Sequence, residues 1–173
     1  MPASARRDLK RKNETTVERR SDCELVLTRT FNGPARIVFE AWTKPELLKR
    51  WWAPCSLGVT LVECEADVRV GGTYRYTFGR DAKHLMVFSG TYLEVVPHTR
   101  LVYTQLFEPM REAGAALITA TFEEVDGQTR FVAVERYPSK AALDGALASG
   151  MEHGMRETME QLEALITSHE VVM

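Results

Sequence analysis

Glu135 is the residue whose type and position most directly suggest chemistry. It alternates with Phe131, Ala133 and Tyr137 in a stretch of high β propensity, so these side chains are expected on one face of a strand. A carboxyl group on an apolar face has a raised pKa and could act as a general acid or base, or could anchor a cationic or hydroxylated ligand. The alternative is a shifted register, or a strand-end position at which the carboxylate reaches water.

The turn that decides this orientation is Asp126-Gly127, a strong signal for a two-residue β-hairpin loop. Closing the hairpin at these residues sets the register of both strands, because a slip of one residue would turn every side chain to the other face. The predicted cross-strand pairs are Phe122 with Phe131, Ala120 with Ala133, and Ile118 with Glu135. This register places Glu135 on the inner, apolar face.

Small residues on two facing surfaces predict a cavity beside Glu135. Ala120 and Ala133 lie on the inner face of the hairpin, and Gly150 and Gly154 lie on or beside the apolar stripe of the C-terminal segment. Small side chains opposite one another leave space unless the backbones close up into dense packing, which is the alternative. The other expected ligand-binding residues are mostly aromatic or sulfur-containing: Trp42, Trp51, Phe78, Phe88, Tyr92, Tyr103, Gln105, Phe122, Phe131, Met151 and Met155.

Other site chemistries find no support in the sequence. The four histidines (His84, His98, His153 and His169) have no metal-ligand spacing, so no metal is expected, and no cofactor is expected either. The sequence contains no glycine-rich phosphate loop followed by a helix and no G-x-S-x-G elbow. Cys23, Cys55 and Cys64 are odd in number and irregularly spaced, which indicates neither a disulfide framework nor a zinc motif.

The pattern along the chain predicts an α+β fold that would position these residues. A strand over 24–31 precedes two short helices, the first over 35–42 and the second capped by Thr43 and ending near Trp52. Six strands are predicted over 57–66, 72–78, 85–96, 100–107, 115–125 and 128–137. Ser139 then caps one long helix that runs to about Ser168. The expected architecture is a curved antiparallel sheet around this helix.

Composition and charge favour one globular domain. The 173 residues are 45% hydrophobic and 27% charged, and a net charge of −2 gives no case for nucleic acid. Residues 1–22 are predicted to be a basic, disordered tail, either a solvated extension or an arm for an acidic partner. The domain is expected over 23–168, with a frayed end over 169–173. Since no apolar run reaches transmembrane length and no signal-peptide core occurs, a cytoplasmic location and no membrane partner are expected.

Several motifs in order resemble activator of heat-shock protein 90 ATPase-like domains, which belong to the START-related, birch-pollen-allergen-type (SRPBCC) superfamily. The similarity covers roughly residues 24–167 and includes TRTF (28–31), VFEAWT (38–43), PELL (45–48), the Trp51-Trp52 pair, DVRVGG (67–72), EVVP (94–97), TFEEVDGQTR (121–130) and GMEHGM (150–155). The resemblance implies a helix-grip fold, a curved sheet of about six to seven strands around the C-terminal helix with a cavity between them. It implies no shared catalytic motif.

Three functions are compatible with these observations. The first is binding of a small, largely apolar or aromatic molecule in the cavity, and the second is an enzyme of polyketide cyclase/lyase type that uses Glu135 and a tyrosine for proton transfer. The third, implied by the resemblance, is a module that activates the ATPase of a chaperone. A buried Glu135 within hydrogen-bond reach of a tyrosine hydroxyl would favour the enzyme. A homodimer is plausible because sheet edges need cover.

Overall fold

An eight-stranded antiparallel sheet dominates the computed structural model, which describes residues 13–168. The strand order is β1-β2-β8-β7-β6-β5-β4-β3, so the later strands form a meander and β2 closes onto β8. The strands are β1 Thr16–Arg19, β2 Glu24–Phe31, β3 Thr60–Ala66, β4 Thr73–Gly79, β5 Leu85–Val96, β6 Arg100–Phe107, β7 Ala116–Val125 and β8 Gln128–Arg136.

Residues 13–168 contain four helices, which pack on one another and on the sheet. They are α1 Ala35–Thr43, α2 Pro45–Trp51, α3 Lys140–Ala148 and α4 Met151–Ile166, and two short 3₁₀ segments occur at Cys55–Leu57 and Glu108–Ala113. Helix α4 packs against α2, α1, α3 and β2. The curved antiparallel sheet and the C-terminal helix make this a helix-grip fold of the α+β class, as predicted, with eight strands instead of six or seven.

The β7–β8 hairpin confirms the predicted register. Asp126 and Gly127 both have positive φ angles, 53° and 77°, as a type I′ turn requires. The observed pairs include Phe122 with Phe131, Ala120 with Ala133 and Ile118 with Glu135. Glu135 therefore lies on the inner face of the sheet.

The predicted disordered tail is wrong over residues 16–19, which form β1. This strand pairs with the edge of β2, from Thr16 opposite Thr28 to Arg19 opposite Leu25. The segment has few apolar residues, so its sequence does not predict a strand. The pairing depends on the backbone N–H and C=O groups at the free edge of β2. Residues 1–12 and 169–173, for which a tail and a frayed end were predicted, lie outside the described residues.

The prediction of one long C-terminal helix is also wrong, because the segment forms two helices, α3 and α4. Gly150 sits between them with φ of 83°, a left-handed conformation that glycine adopts without a Cβ penalty. Ser139 caps α3 as predicted, accepting a hydrogen bond from the Ala142 amide at 3.0 Å. Thr43 does not cap α2; its hydroxyl donates to the Phe39 carbonyl at 2.9 Å, and Pro45 begins that helix.

A dense core lies between α1, α2, the C-terminal half of α4 and the strands β2, β7 and β8. Trp51 is 1% exposed, and its indole nitrogen donates to the Ala41 carbonyl at 2.9 Å. The Trp42 ring stacks on that of Phe131, with 4.9 Å between their centroids. Met159 and Leu162 of α4 are buried in the same cluster. This end of the domain is closed.

Candidate functional site

Glu135 lies in a row of residues that crosses the inner face of the sheet. Leu25 of β2 and Ile118 of β7 flank it, Tyr103 of β6 pairs with Ile118, and Tyr92 of β5 pairs with Tyr103. Since side chains at directly paired positions project to the same face, the row brings one carboxyl group and two phenols to one surface. Tyr103 and Tyr92 precede Glu135 by more than 30 residues in the sequence, although the sheet brings them into the same row.

A carboxyl–phenol pair is the chemical centre of this row. Glu135 is 6% exposed, and the Tyr137 hydroxyl donates a hydrogen bond to its Oε1 at 3.0 Å. The same hydroxyl lies 3.7 Å from the sulfur of Met151, at the start of α4. Burial raises the pKa of Glu135 to about 7, and the hydrogen bond from Tyr137 opposes that shift. The group can therefore gain or lose a proton near neutral pH.

Two phenols respond to the same carboxyl group. The pKa of Tyr103 is raised first by burial and then by the negative charge of Glu135. The pKa of Tyr137 is raised by burial, by that charge and by the hydrogen bond that it donates to Glu135. Both hydroxyls therefore stay protonated when Glu135 titrates.

Further tyrosines extend the polar surface across β4 and β5. The Tyr74 ring lies 4.8 Å from Tyr76, 5.4 Å from Tyr92 and 5.8 Å from Tyr103, measured between centroids. The Tyr74 hydroxyl donates to the Thr104 carbonyl at 2.6 Å, and the phenols of Tyr76 and Tyr92 hydrogen-bond each other. Four phenol rings thus form one continuous aromatic wall.

The inner face is less completely buried beyond this wall. Phe88 and Phe107 point inward, with ring centroids 4.9 Å apart, yet both are only half-buried. Trp52, in the loop after α2, lies 5.3 Å from Tyr76 and 5.5 Å from Phe88 and forms the rim. We use the term cleft for the space bounded by this rim, the aromatic wall, the Glu135–Tyr137 pair and the half-buried Met151 and Met155 of α4.

The structure contradicts the prediction that small residues of the hairpin and of the C-terminal segment face one another across a cavity. Gly150 is exposed at the helix break, and a Cβ added to Gly154 would lie 3.5 Å from Pro54, not against the sheet. Ala120 and Ala133 are 0% and 4% exposed and belong to the dense core. The half-buried part of the inner face is therefore not produced by small side chains that oppose each other.

Most of the predicted ligand-binding residues belong to one buried hydrophobic cluster: Trp51, Phe78, Tyr92, Tyr103, Ala120, Phe122, Phe131 and Ala133. The half-buried Trp42, Phe88 and Met155 pack against this cluster. The cleft brings together Phe78, Phe88, Tyr92, Tyr103, Gln105, Glu135, Met151 and Met155. Sequence reasoning missed Trp52, Tyr74, Phe107 and Tyr137 as site residues, although the alternation of Tyr74, Tyr76 and Phe78 could have indicated the first of the missed tyrosines. Contact with a ligand stays a prediction for every residue.

Comparison with known proteins identifies the family. The family described as Activator of Hsp90 ATPase homolog 1-like protein matches residues 32–167. The chain belongs to this family. No curated protein is similar enough to match it.

Solved structures agree with the fold of this Hsp90-ATPase-activator-like domain. A Rhodobacter sphaeroides protein is 24% identical, with a TM-score of 0.81 over 88% of this chain and 97% of its own. A Mycobacterium smegmatis protein is 25% identical, with a TM-score of 0.77 over 89% and 98%. A Staphylococcus epidermidis protein is 28% identical, with a TM-score of 0.72 over 87% and 93%. The SRPBCC-type fold that they share commonly has a ligand-binding cavity.

A charged pocket lies on the side of α4 that faces away from the sheet. Its volume is about 330 Å³, and its lining is charged or polar: Glu14, Thr15, His153, Arg156, Glu157 and Glu160. Several of these groups are engaged in structural contacts. Arg156 donates to the Thr15 carbonyl, and Glu157 accepts from the Ser56 amide at 2.6 Å. This cavity differs in place and chemistry from the predicted one.

In residues 13–168 no group of three or more His, Cys, Asp and Glu side chains could hold a metal ion. None of the helices in the same range is both long enough and apolar enough to span a membrane.

The titration of Glu135 predicts a specific dependence of stability on pH. The native carboxyl holds its proton up to about pH 7, whereas its ordinary pKa is 4.5. The unfolded state therefore binds fewer protons in this interval, so the stability that the group contributes is lost as pH rises from about 4.5 to 7. Between pH 5 and pH 8 the loss is expected to be about 2–3 kcal/mol.

Urea denaturation at both pH values measures this loss against Glu135→Gln, which cannot titrate. The variant should gain about 2–3 kcal/mol relative to the wild type on going from pH 5 to pH 8. Glu123→Gln, an exposed carboxylate on β7, is the control and should show no comparable gain. Parallel pH profiles for the wild type and Glu135→Gln would mean that Glu135 is ordinarily solvated.

Proposed function

We propose that this protein binds a small, largely apolar or aromatic molecule in the cleft, with the polar group of that molecule beside Glu135 and Tyr137. The observation that carries the proposal is the half-buried aromatic surface of the inner face. The carboxyl–phenol pair beside it offers a polar contact to a ligand and is also the feature that favours the second candidate, an enzyme. Ligand sites are typically concave, mostly apolar and equipped with a few convergent polar groups. The same surface would otherwise be an unfilled part of the core.

Several apolar side chains of the cleft are partly exposed to water. Trp52, Met86, Phe88 and Phe107 keep part of their surface in water although they point to the covered side of the sheet. Apolar surface removed from water gains about 25 cal/mol per Å², so filling the space would stabilise the domain. An aromatic or branched aliphatic group fits these surfaces because rings dominate them.

Glu135 is the polar group of the proposed binding site. Burying a carboxyl group is unfavourable unless it is paired, and a buried group with a shifted pKa inside a cleft is typical of functional sites. Tyr137 supplies one hydrogen bond to Oε1, and a ligand group would supply others.

The enzyme hypothesis keeps specific support as a second candidate. The Tyr137 hydroxyl lies 3.0 Å from Oε1 of Glu135, which is within hydrogen-bond reach, as proton transfer requires. A pKa of about 7 suits Glu135 to act as a general acid or base at neutral pH. A reaction of polyketide cyclase/lyase type on a cyclic substrate would use the same cleft. Activation of a chaperone ATPase, a homodimer and a cytoplasmic location stay predictions.

A cleft-filling variant tests the binding function. Met155→Trp, on α4 above the cleft, should lower affinity at least about tenfold for any compound that native mass spectrometry finds in gently purified protein, or that raises its melting temperature in an aromatic and lipid library. Met110→Trp, in the exposed 3₁₀ segment, is the matched control and should bind normally. Equal binding by both variants would place the ligand elsewhere. Retained binding but lost turnover in Glu135→Gln would favour the enzyme.

A further inference from the structure

We infer that the ligand of the cleft is an organic cation, an amine that carries an apolar or aromatic group, with its ammonium between the Glu135 carboxylate and the tyrosine rings. The inference rests on the proposed function and names the chemical class of its ligand. Three independent features of the inner face support it: the distribution of charge, the use of hydrogen-bond donors and the orientation of aromatic surface.

Charge on the inner face is uncompensated at one place. In the described strands the charged residues on this face are Arg19, Arg29, Glu124 and Glu135. Arg19 pairs with Asp144 at 2.7 Å and Arg29 pairs with Glu160 at 2.7 Å, while Glu124 is exposed to water and accepts from the Ala35 amide at 2.8 Å.

Glu135 differs from these residues because its neighbours are neutral. Leu25 faces it from β2 and Ile118 from β7, while the titratable groups that face it are the phenols of Tyr103 and Tyr137. Burial is the main cause of its raised pKa, and no cationic side chain of the described residues opposes that cause. A bound ammonium would supply the missing positive charge and favour the ionised carboxylate, which a neutral ligand would not do.

Several phenols near the carboxylate use their O–H donors within the protein. Tyr137 donates to Glu135, Tyr74 donates to the Thr104 carbonyl, and Tyr76 and Tyr92 share a hydrogen bond. The oxygen atoms of these phenols and of the carboxylate keep lone pairs. A ligand that brings N–H donors therefore finds acceptors beside Glu135.

Aromatic faces add to the same preference. The ring of Tyr92 lies 6.1 Å from that of Tyr103 and 5.4 Å from that of Tyr74, in tilted arrangements. The face of an aromatic ring carries negative electrostatic potential and attracts ammonium groups, more strongly when the pair is removed from water. The carboxylate and the aromatic rings therefore both favour a positively charged ligand.

Isothermal titration calorimetry with matched probes at pH 8 tests the inference. Phenethylamine is expected to bind the wild-type protein at least about tenfold more tightly than phenethyl alcohol, its neutral isostere. Glu135→Gln should abolish the difference, whereas Glu123→Gln should keep it.

The possible failures are distinguishable. Equal or tighter binding of the alcohol would overturn the cation inference and leave the binding function standing. A preference for the amine that survives in Glu135→Gln would overturn it too, because the amine would then bind elsewhere, for example in the acidic cavity beyond α4. Failure of both probes would overturn the inference and count against the binding function.

Discussion

Replacing Gly90 with alanine is expected to lower the free energy of unfolding by about 3 kcal/mol or more. A Cβ at this position would lie 1.9 Å from the Thr104 carbonyl oxygen and 2.7 Å from a ring carbon of Tyr74. The first contact is with backbone, so β5 and β6 would have to separate. That movement would also disturb the hydrogen bond between the Tyr74 hydroxyl and the Thr104 carbonyl. Urea denaturation followed by circular dichroism measures the loss.

Gly145→Ala is the matched control for this glycine. An added Cβ there meets no atom within 4 Å, and the position is inside helix α3. Alanine is the better helix former, so this variant should gain about 0.5–1 kcal/mol. If Gly90→Ala were as stable as the wild type, the close packing of Tyr74 over β5 would be wrong, and with it the aromatic wall of the cleft.

Replacing Phe131 with alanine is expected to cost about 3–5 kcal/mol. The side chain is 0% exposed, stacks on Trp42 and lies 5.2 Å from Phe122 and 6.2 Å from Phe31, measured between ring centroids. Its removal would leave a cavity that neighbouring rings on a rigid sheet cannot fill. Thermal and urea unfolding should both register the loss.

Phe107→Ala provides the comparison, because Phe107 is an inner-face ring at the cleft. It is half-buried and has open space beside it, so truncation is expected to cost about 1–2 kcal/mol. Similar losses for the two phenylalanines would contradict the division of the inner face into a closed core and an open cleft.

Local signals predicted most of the fold. The Asp126-Gly127 turn fixed the hairpin register, and from that register alone Glu135 was expected to point inward. Ser139 was recognised as a cap because its hydroxyl acts on an amide three residues away. Each of these features depends on residues that are close in sequence, where propensity and turn chemistry act directly.

Features that depend on distant residues were not predictable. Strand β1 exists because the edge of β2 offers a partner, and its own sequence is mostly polar. Gly150 could equally have stood inside a helix, since glycine tolerates both conformations. Which inner-face rings are fully buried also depends on packing between distant elements, so the sequence grouped the buried Phe131 with the half-buried Phe88.

The methionines provide the most direct test of the proposed binding cleft. Met151 and Met155 border it, Met159 is buried in the core, and Met110 is exposed on the 3₁₀ segment. Methyl resonances of protein labelled with ¹³C at the methionine methyl groups can be followed while a library of small aromatic amines and their neutral isosteres is added. We expect bound compounds to shift Met151 and Met155 in a saturable way and to leave Met110 unchanged. Saturable shifts confined to Met110, or no shift at Met151 and Met155 with any compound, would contradict the account.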